Sequence, residues 1–218
     1  MDYICKVMKR VLAGLLLIFF AGSLYGAPAW QFRHLNTRGG LSSNTVRSLI
    51  QDRSGLIWAG TSDGLDSFDG REVIHHSLPP LANSYINCLL EDSAGTLWAG
   101  TDDAIYRYTD SGLTREDALP AANYNCLAED RDGNVWIGTY DSGIIRMGNG
   151  TVHRYLEGES AEAILISGDG RIWAASPTAP EGVYLYNPSA DAFVSPSFDF
   201  KDTERARVCA MAEDATGN

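Results

Sequence analysis

Beyond residue 45, apolar residues cluster in short strand-length segments separated by turns rich in glycine and aspartate. No 3.6-residue period runs through them, so helical repeats are excluded and strands are expected. Val46–Gln51 is predicted as a first strand and Asp52–Gly55 as a tight turn, with Gly55 at its positive-φ position. Leu56–Thr61 is the second strand, Ser62-Asp63-Gly64 a turn, and Leu65–Phe68 the third strand. Asp69-Gly70 is a hairpin turn and Glu72–His76 the fourth strand, which completes a four-stranded antiparallel meander. In Leu56–Thr61, Leu56 and Trp58 face one way while Ile57 and Ala59 face the other, so both sides are apolar. A lone meander would keep one wet, polar face. Sheets stacked face to face around an axis cover both sides, which is the β-propeller solution. A β-solenoid is the alternative, though its repeats carry fewer strands.

The same pattern recurs. Asp52-Arg53-Ser54-Gly55-Leu56-Ile57-Trp58-Ala59-Gly60-Thr61 is repeated in register at Asp92–Thr101 and Asp130–Thr139. A decayed fourth copy spans Ser167–Ser176, and a fifth begins at Asp214. The tryptophans Trp58, Trp98, Trp136 and Trp173 are 40, 38 and 37 residues apart, the spacing of one supersecondary unit per repeat. The expected fold is therefore all-β: an incomplete propeller of about four four-stranded antiparallel blades plus the start of a fifth. Ahead of the first repeat, Trp30–Leu35 fits the fourth-strand slot of a blade whose other strands are absent. With the fifth copy stopping inside its turn, this leads to the expectation that the sequence is part of a longer protein.

Residues 1–29 stand apart. Lys6, Lys9 and Arg10 precede an 11-residue apolar run, Val11–Ala21, and a tail of small residues ending in Ala27-Pro28-Ala29. This is the layout of a secretory signal peptide, with Ala27-Pro28-Ala29 the best cleavage site and Ser23 and Gly26 as alternative ends, and the run is short for a bilayer core of about 30 Å. Two regions are expected: 1–29 as signal peptide and 30–218 as the N-terminal part of a propeller. The whole chain has a formal net charge of −11. Residues 1–29 hold three basic and one acidic residue, so 14 basic and 27 acidic residues remain, a net charge of −13. A surface so acidic argues against nucleic-acid partners. Cys88, Cys126 and Cys209 are an odd number beyond the signal segment. Cys88 and Cys126 occupy equivalent strand positions, which suits small buried fillers better than a bridge.

The candidate chemistry is sparse. Asp52, Asp92 and Asp130 fall one per repeat in turns, where an aspartate bonds its own backbone. Asp130-Arg131-Asp132-Gly133-Asn134 resembles a calcium loop only faintly, since the closing glutamate is missing. The tryptophans read as residues that pack blades together. His34, His75, His76 and His153 fall in fourth strands, without zinc-ligand spacing, and read as solvent-facing. Neither catalytic nor metal residues nor a cofactor is expected. Meander geometry gathers the loops before each first strand and after each W-x-G-T on one face. That face collects Asn44, Asp63, Asn83, Tyr85, Asp102, Asp103, Asn123, Tyr140 and Asp141. Arg47, Asn87, Asn125 and Glu162 lie early in successive first strands, close to the same mouth. Asn44, Arg47, Asp63, Tyr85, Asn87, Asp102, Asn125, Tyr140 and Asp141 are the candidate ligand-binding set, since amide, carboxylate and phenol groups suit a sugar.

Gly40-Leu41-Ser42, Asn44, Val46, Ile50, Asp52, Gly55, Ile57-Trp58, Gly60-Thr61, Gly64-Leu65 and Phe68-Asp69-Gly70 together resemble the two-component regulator propeller repeat. The second and third repeats keep D-x-x-G and W-x-G-T, and the fourth keeps only D-G-x-I-W. The resemblance implies a periplasmic ligand-sensing propeller of a transmembrane regulator, whose better-known relatives sense oligosaccharides. It further implies partners outside this chain: more blades, a β-sandwich, a membrane helix and a cytoplasmic kinase or cyclase output. The alternatives are a propeller enzyme of lyase or glycosidase type and a secreted protein-binding scaffold. If the signal peptide is cleaved after Ala29, mass spectrometry of protein recovered from an exporting host will find a chain starting at Trp30. A chain retaining Met1 would instead mark an uncleaved anchor.

Overall fold

The computed structural model describes residues 32–76, 84–109, 111–196, 208–214 and 216–217. The expected signal peptide (1–29), Trp30, Gln31, Asn83, Ala215 and Asn218 lie outside the described residues. Residue contacts divide the chain into two units, Met1–His34 and Leu35–Asn218. In the first, only Phe32–His34 are described, and they form no strand. The strand expected over Trp30–Leu35 is therefore corrected in its described part, where the backbone is irregular and Phe32 is 92% exposed. Asn36 begins a different structure. Its side chain accepts from the Gly39 amide at 3.1 Å and starts a single 3-10 turn, Thr37–Gly39.

All sixteen strands among the described residues lie in the second unit, in four antiparallel sheets of simple meander order. Blade 1 comprises β1 (Val46–Gln51), β2 (Ile57–Thr61), β3 (Gly64–Phe68) and β4 (Val73–His76). Blade 2 comprises β5 (Ile86–Glu91), β6 (Leu97–Thr101), β7 (Ile105–Thr109) and β8 (Gly112–Arg115). Blade 3 comprises β9 (Tyr124–Glu129), β10 (Val135–Thr139), β11 (Ile144–Gly148) and β12 (Thr151–Tyr155). Blade 4 comprises β13 (Ala163–Ile166), β14 (Ile172–Ala175), β15 (Val183–Asn187) and β16 (Ala192–Val194). First strands of successive blades lie side by side. Apolar side chains form three layers, each between two blades, as the two-sided apolar pattern required. Among the described residues, no helix is long and apolar enough to cross a membrane.

The turn aspartate does two jobs. Asp52 Oδ1 accepts from the amides of Ser54 and Leu56, both at 2.9 Å, while Oδ2 accepts from the Trp58 indole at 2.8 Å. Asp92 repeats this with Ala94, Thr96 and Trp98, and Asp130 with Asp132, Asn134 and Trp136. Burial pushes the Asp52 carboxyl up, but hydrogen bonds led by Ser54 and Trp58 outweigh it and hold it below its ordinary 3.8. Asp130 is held down likewise, burial being outweighed by Trp136 and Asn134.

The tryptophan faces are covered by cationic or imidazole groups. The guanidinium carbons of Arg107, Arg146 and Arg171 lie 5.4, 5.4 and 5.5 Å from the rings of Trp98, Trp136 and Trp173. Ser67 stands where Arg107 and Arg146 stand, opposite the tryptophan. His76 covers Trp58 instead, with ring centroids 4.8 Å apart and Nε2 2.8 Å from Ser67 Oγ. His76 is thus half-buried packing, a correction to the solvent-facing expectation; burial lowers its pKa below the ordinary 6.5, ahead of the opposing pull of Asp66.

Gly60, Gly100 and Gly138 of W-x-G-T leave no room for a side chain, because Ile86, Tyr124 and Ala161 press on them from the next blade and Cys88 and Cys126 press on Gly100 and Gly138 from the first strand of the same blade. A Cβ on Gly60 would lie 2.6 Å from Ile86 Cγ2, one on Gly100 would lie 2.5 Å from Cys88 Sγ, and one on Gly138 would strike Cys126 Sγ. Gly100→Ala should therefore cost about 1–3 kcal/mol by overpacking. Adding Cys88→Ala should return at least part of that loss, a non-additivity that urea unfolding of both single variants and the double variant will measure.

The titrating groups set a pH profile. An unfolded histidine takes a proton more readily than native His76, so that contribution is complete above pH 6.5 and falls away below it. The contributions of Asp52 and Asp130 are complete above pH 3.8 and fall away below it. Melting temperature should drop in two stages on acidification. His76→Phe should remove the first stage, and Asp52→Asn with Asp130→Asn should shrink the second.

Candidate functional site

In blades 1 to 3 the pairing of the first and second strands slips by one residue. Val46 pairs with Thr61 and Ser48 with Gly60, which leaves Arg47 out of the ladder. The same slip leaves out Asn87 between Ile86 and Cys88, and Asn125 between Tyr124 and Cys126. A β-bulge re-aims the side chain it displaces. Three of the four polar first-strand positions read from the sequence are therefore bulged residues. In blade 4, β13 pairs with β14 without a slip. Glu162 precedes that strand and donates its backbone amide to Ala175 O at 2.9 Å.

The bulged side chains reach across blade boundaries. Arg47 Nη1 donates to Asn87 Oδ1 at 3.1 Å, and the Arg47 guanidinium lies 5.5 Å from the centre of the Tyr85 ring. Asn87 Nδ2 donates to Asn123 Oδ1 at 3.1 Å, and Asn125 Nδ2 donates to Ala161 O at 3.2 Å. Arg47, Tyr85, Asn87 and Asn123 thus form one continuous polar row over three blades, with Asn125 continuing the pattern toward blade 4. Arg47, Tyr85 and Asn123 are exposed, and Asn87 is partly so.

The other candidates are placed differently. Asn44 Oδ1 accepts from the Thr37 amide at 2.9 Å and anchors the 3-10 turn. Asp63 and Asp102 are exposed in the turns after W-x-G-T, where the Asp63 amide donates to Thr61 Oγ1 at 3.0 Å. Asp141 Oδ1 accepts from Ser142 Oγ at 3.0 Å in the matching turn of blade 3. Tyr140 is 63% exposed and meets the row through its backbone amide, which donates to Asn123 O at 2.9 Å.

One constellation escaped the sequence reading. Asp66, fully buried, accepts from the amide and hydroxyl of Ser42 at 2.8 Å each, and its other oxygen lies 2.8 Å from His75 Nδ1. His75 is therefore held by a carboxylate rather than simply facing solvent. Blades 2, 3 and 4 carry Tyr106, Ile145 and Tyr184 at the position of Asp66. A charge where its register mates are aromatic or aliphatic was the available signal. Ser42 Oγ also lies 2.8 Å from Thr61 Oγ1, so the group fastens the segment before β1 onto blade 1.

Cys88 and Cys126 carry no activated thiol. Burial pushes Cys126 up to about 12 and raises Cys88 well above its ordinary value, so both stay protonated. They are free and fill space between blades, as expected. In the segment that resembles a calcium loop, the Asp130 oxygens are occupied by Trp136, Asn134 and the turn amides.

Three stretches of the chain, residues 40–63, 80–103 and 118–141, match the family described as "Two component regulator propeller". No curated protein matches. Among solved structures, the chain is similar to the extracellular domain of a hybrid two component system from B. thetaiotaomicron. That match has 18% identity and a TM-score of 0.64, and covers 80% of this chain and 25% of that one. Virginiamycin B lyase from Staphylococcus aureus is similar at 16% identity and a TM-score of 0.59, covering 71% of this chain and 56% of that one. PorZ, a surface component of the type-IX secretion system of Porphyromonas gingivalis, is similar at 15% identity and a TM-score of 0.54, covering 77% and 29%. At these identities the likeness is one of fold, and the chain spans about a quarter of the B. thetaiotaomicron domain. The matched stretches hold the D-x-x-G turn and W-x-G-T strand of blades 1, 2 and 3, so in these three blades the chain is similar to the two component regulator propeller family, on a β-propeller array.

Proposed function

We propose that residues 30–218 are the N-terminal part of a non-enzymatic ligand-sensing propeller in a transmembrane signalling regulator. On this reading the propeller lies in the periplasm, exported by residues 1–29. Further blades and a membrane-anchored kinase or cyclase output belong to the parent regulator. The observation that carries it is the row of bulged residues. Arg47, Asn87 and Asn125 leave the ladder at the same position of three successive blades, each as a polar side chain at one mouth. A purely structural strand would not need a repeated bulge with a hydrogen-bonding side chain at its crest.

The groups in this row suit a neutral, hydroxyl-rich ligand such as an oligosaccharide. Asparagine amides donate and accept at once, Arg47 donates, and Tyr85 offers a ring face. The hydrogen bonds among Arg47, Asn87 and Asn123 hold those groups in place before a ligand arrives, which lowers the ordering cost of binding. The likeness to virginiamycin B lyase, at 16% identity, supports the propeller fold alone.

In the full-length regulator, Arg47→Ala and Asn87→Ala should each abolish ligand-dependent signalling. The bonds they lose are exposed, so unfolding free energy should change by less than about 1 kcal/mol. Signalling that survives both changes would remove the mouth as the sensing site.

A further inference from the structure

On the opposite face, where the D-x-x-G turns lie, neighbouring blades are joined by a carboxylate. The glutamate just before one blade's turn aspartate accepts from the amide just after the aspartate of the preceding blade. Glu91 Oε2 takes the Arg53 amide at 2.9 Å, with the Arg53 guanidinium 3.5 Å from its other oxygen. Glu129 takes both the amide and the hydroxyl of Ser93 at 2.6 Å. Glu213 takes the Gly168 amide.

Between blades 3 and 4 this acceptor is missing. Ile166 stands in the position of Glu91 and Glu129 and packs against the apolar layer between blades 3 and 4, so among the described residues the Arg131 amide meets no such carboxylate. Cavities beside the turns differ in size, and the one next to blade 4 that holds Glu213 is about 460 Å³. Between blades 1 and 2, where Glu91 is present, the cavity beside the turns is about 270 Å³. Between blades 3 and 4 it is about 620 Å³, within the usual range of small-ligand sites. Its lining includes Arg131, Arg146, Arg171, Asp132 and Tyr186. Arg131 occupies the place of Arg53 and already reaches Gly168 O across the gap.

We propose that this cavity binds a ligand carboxylate, which accepts from the turn of blade 3 as Glu91 and Glu129 accept from the turns of blades 1 and 2. The donors are the Arg131 amide, as at Arg53 and Ser93, and the Arg131 and Arg171 guanidinium groups at the rim. A planar monoanion fits this donor set, because the neighbouring joints are built on planar carboxylates. A dianionic phosphate does not, because Asp130, Asp132 and Asp169 also line the cavity. Arg171 is partly neutralised by Asp169, with Nε and Oδ2 2.6 Å apart, which again favours a singly charged partner. The carboxylate can come from a free acidic sugar or from a glutamate side chain of a partner protein.

The test is a titration of the full chain, uniformly labelled with nitrogen-15 and followed by amide NMR, with glucuronate and separately with N-acetylglutamate amide. Glucose and sodium chloride serve as neutral and ionic controls. The Arg131 amide proton should move downfield and saturate, while the Arg53 and Ser93 amides, already bound to glutamates, stay in place. Saturation at tenfold lower glucuronate assigns the site to acidic sugars; the reverse order assigns it to a protein glutamate. Ile166→Glu should shift the Arg131 amide without ligand and weaken either titration at least tenfold. Should that variant misfold, Arg131→Met carries the same expectation of weakened binding. An Arg131 amide that stays in place, or that responds equally to chloride, overturns the proposal.

Discussion

The bond from the turn aspartate to the tryptophan indole is the constraint on which the rest of the fold depends. One oxygen of Asp52, Asp92 or Asp130 gathers turn amides, and the other takes an indole proton from the second strand. The turn is thereby locked to the side chain that packs against the next blade. An indole buried without an acceptor would cost about 1–3 kcal/mol, and the aspartate removes that cost where the hairpin needs closing. Blade 4 has lost this residue and closes its turn in another way. Ser167 replaces the aspartate and its hydroxyl turns to Asp169 and Arg171 O, while Trp173 is covered by Arg171.

Close packing between blades produces both the structural glycines and the candidate site. Gly60, Gly100 and Gly138 let the following first strand approach to contact distance. The strands that press on Gly60 and Gly100 begin with the bulges at Asn87 and Asn125, so each also turns a polar residue outward. The family resemblance and the solved structures agree on this architecture. The site itself rests on the observed slip in strand pairing.

Much of this was legible in the sequence. The strands expected at Val46–Gln51, Leu56–Thr61, Leu65–Phe68 and Glu72–His76 appear within one residue at each end, because each is bounded by a glycine or aspartate turn with a local cause. The polar positions Arg47, Asn87 and Asn125 were also visible, by offset from the repeat aspartate. Two expectations failed because their causes are not local. Phe32–Leu35 forms no strand, because a fourth strand needs a third strand to pair with and its own sequence supplies only the apolar and polar pattern. His75 and His76 sit in that outer strand, yet Asp66 and Trp58 hold them through cross-strand neighbours that a single-strand pattern does not reveal.

The sequence by itself determined the repeat, the meander, the two-sided burial and the aspartate turns, because these depend on periodicity and on residues within about six positions of each other. Only the tertiary structure decided which first-strand residues leave the ladder and which neighbours they meet. It also decided which gap between blades lacks its carboxylate. Those contacts join residues one whole repeat apart, and a sequence repeat places equivalent residues without stating what lies opposite them.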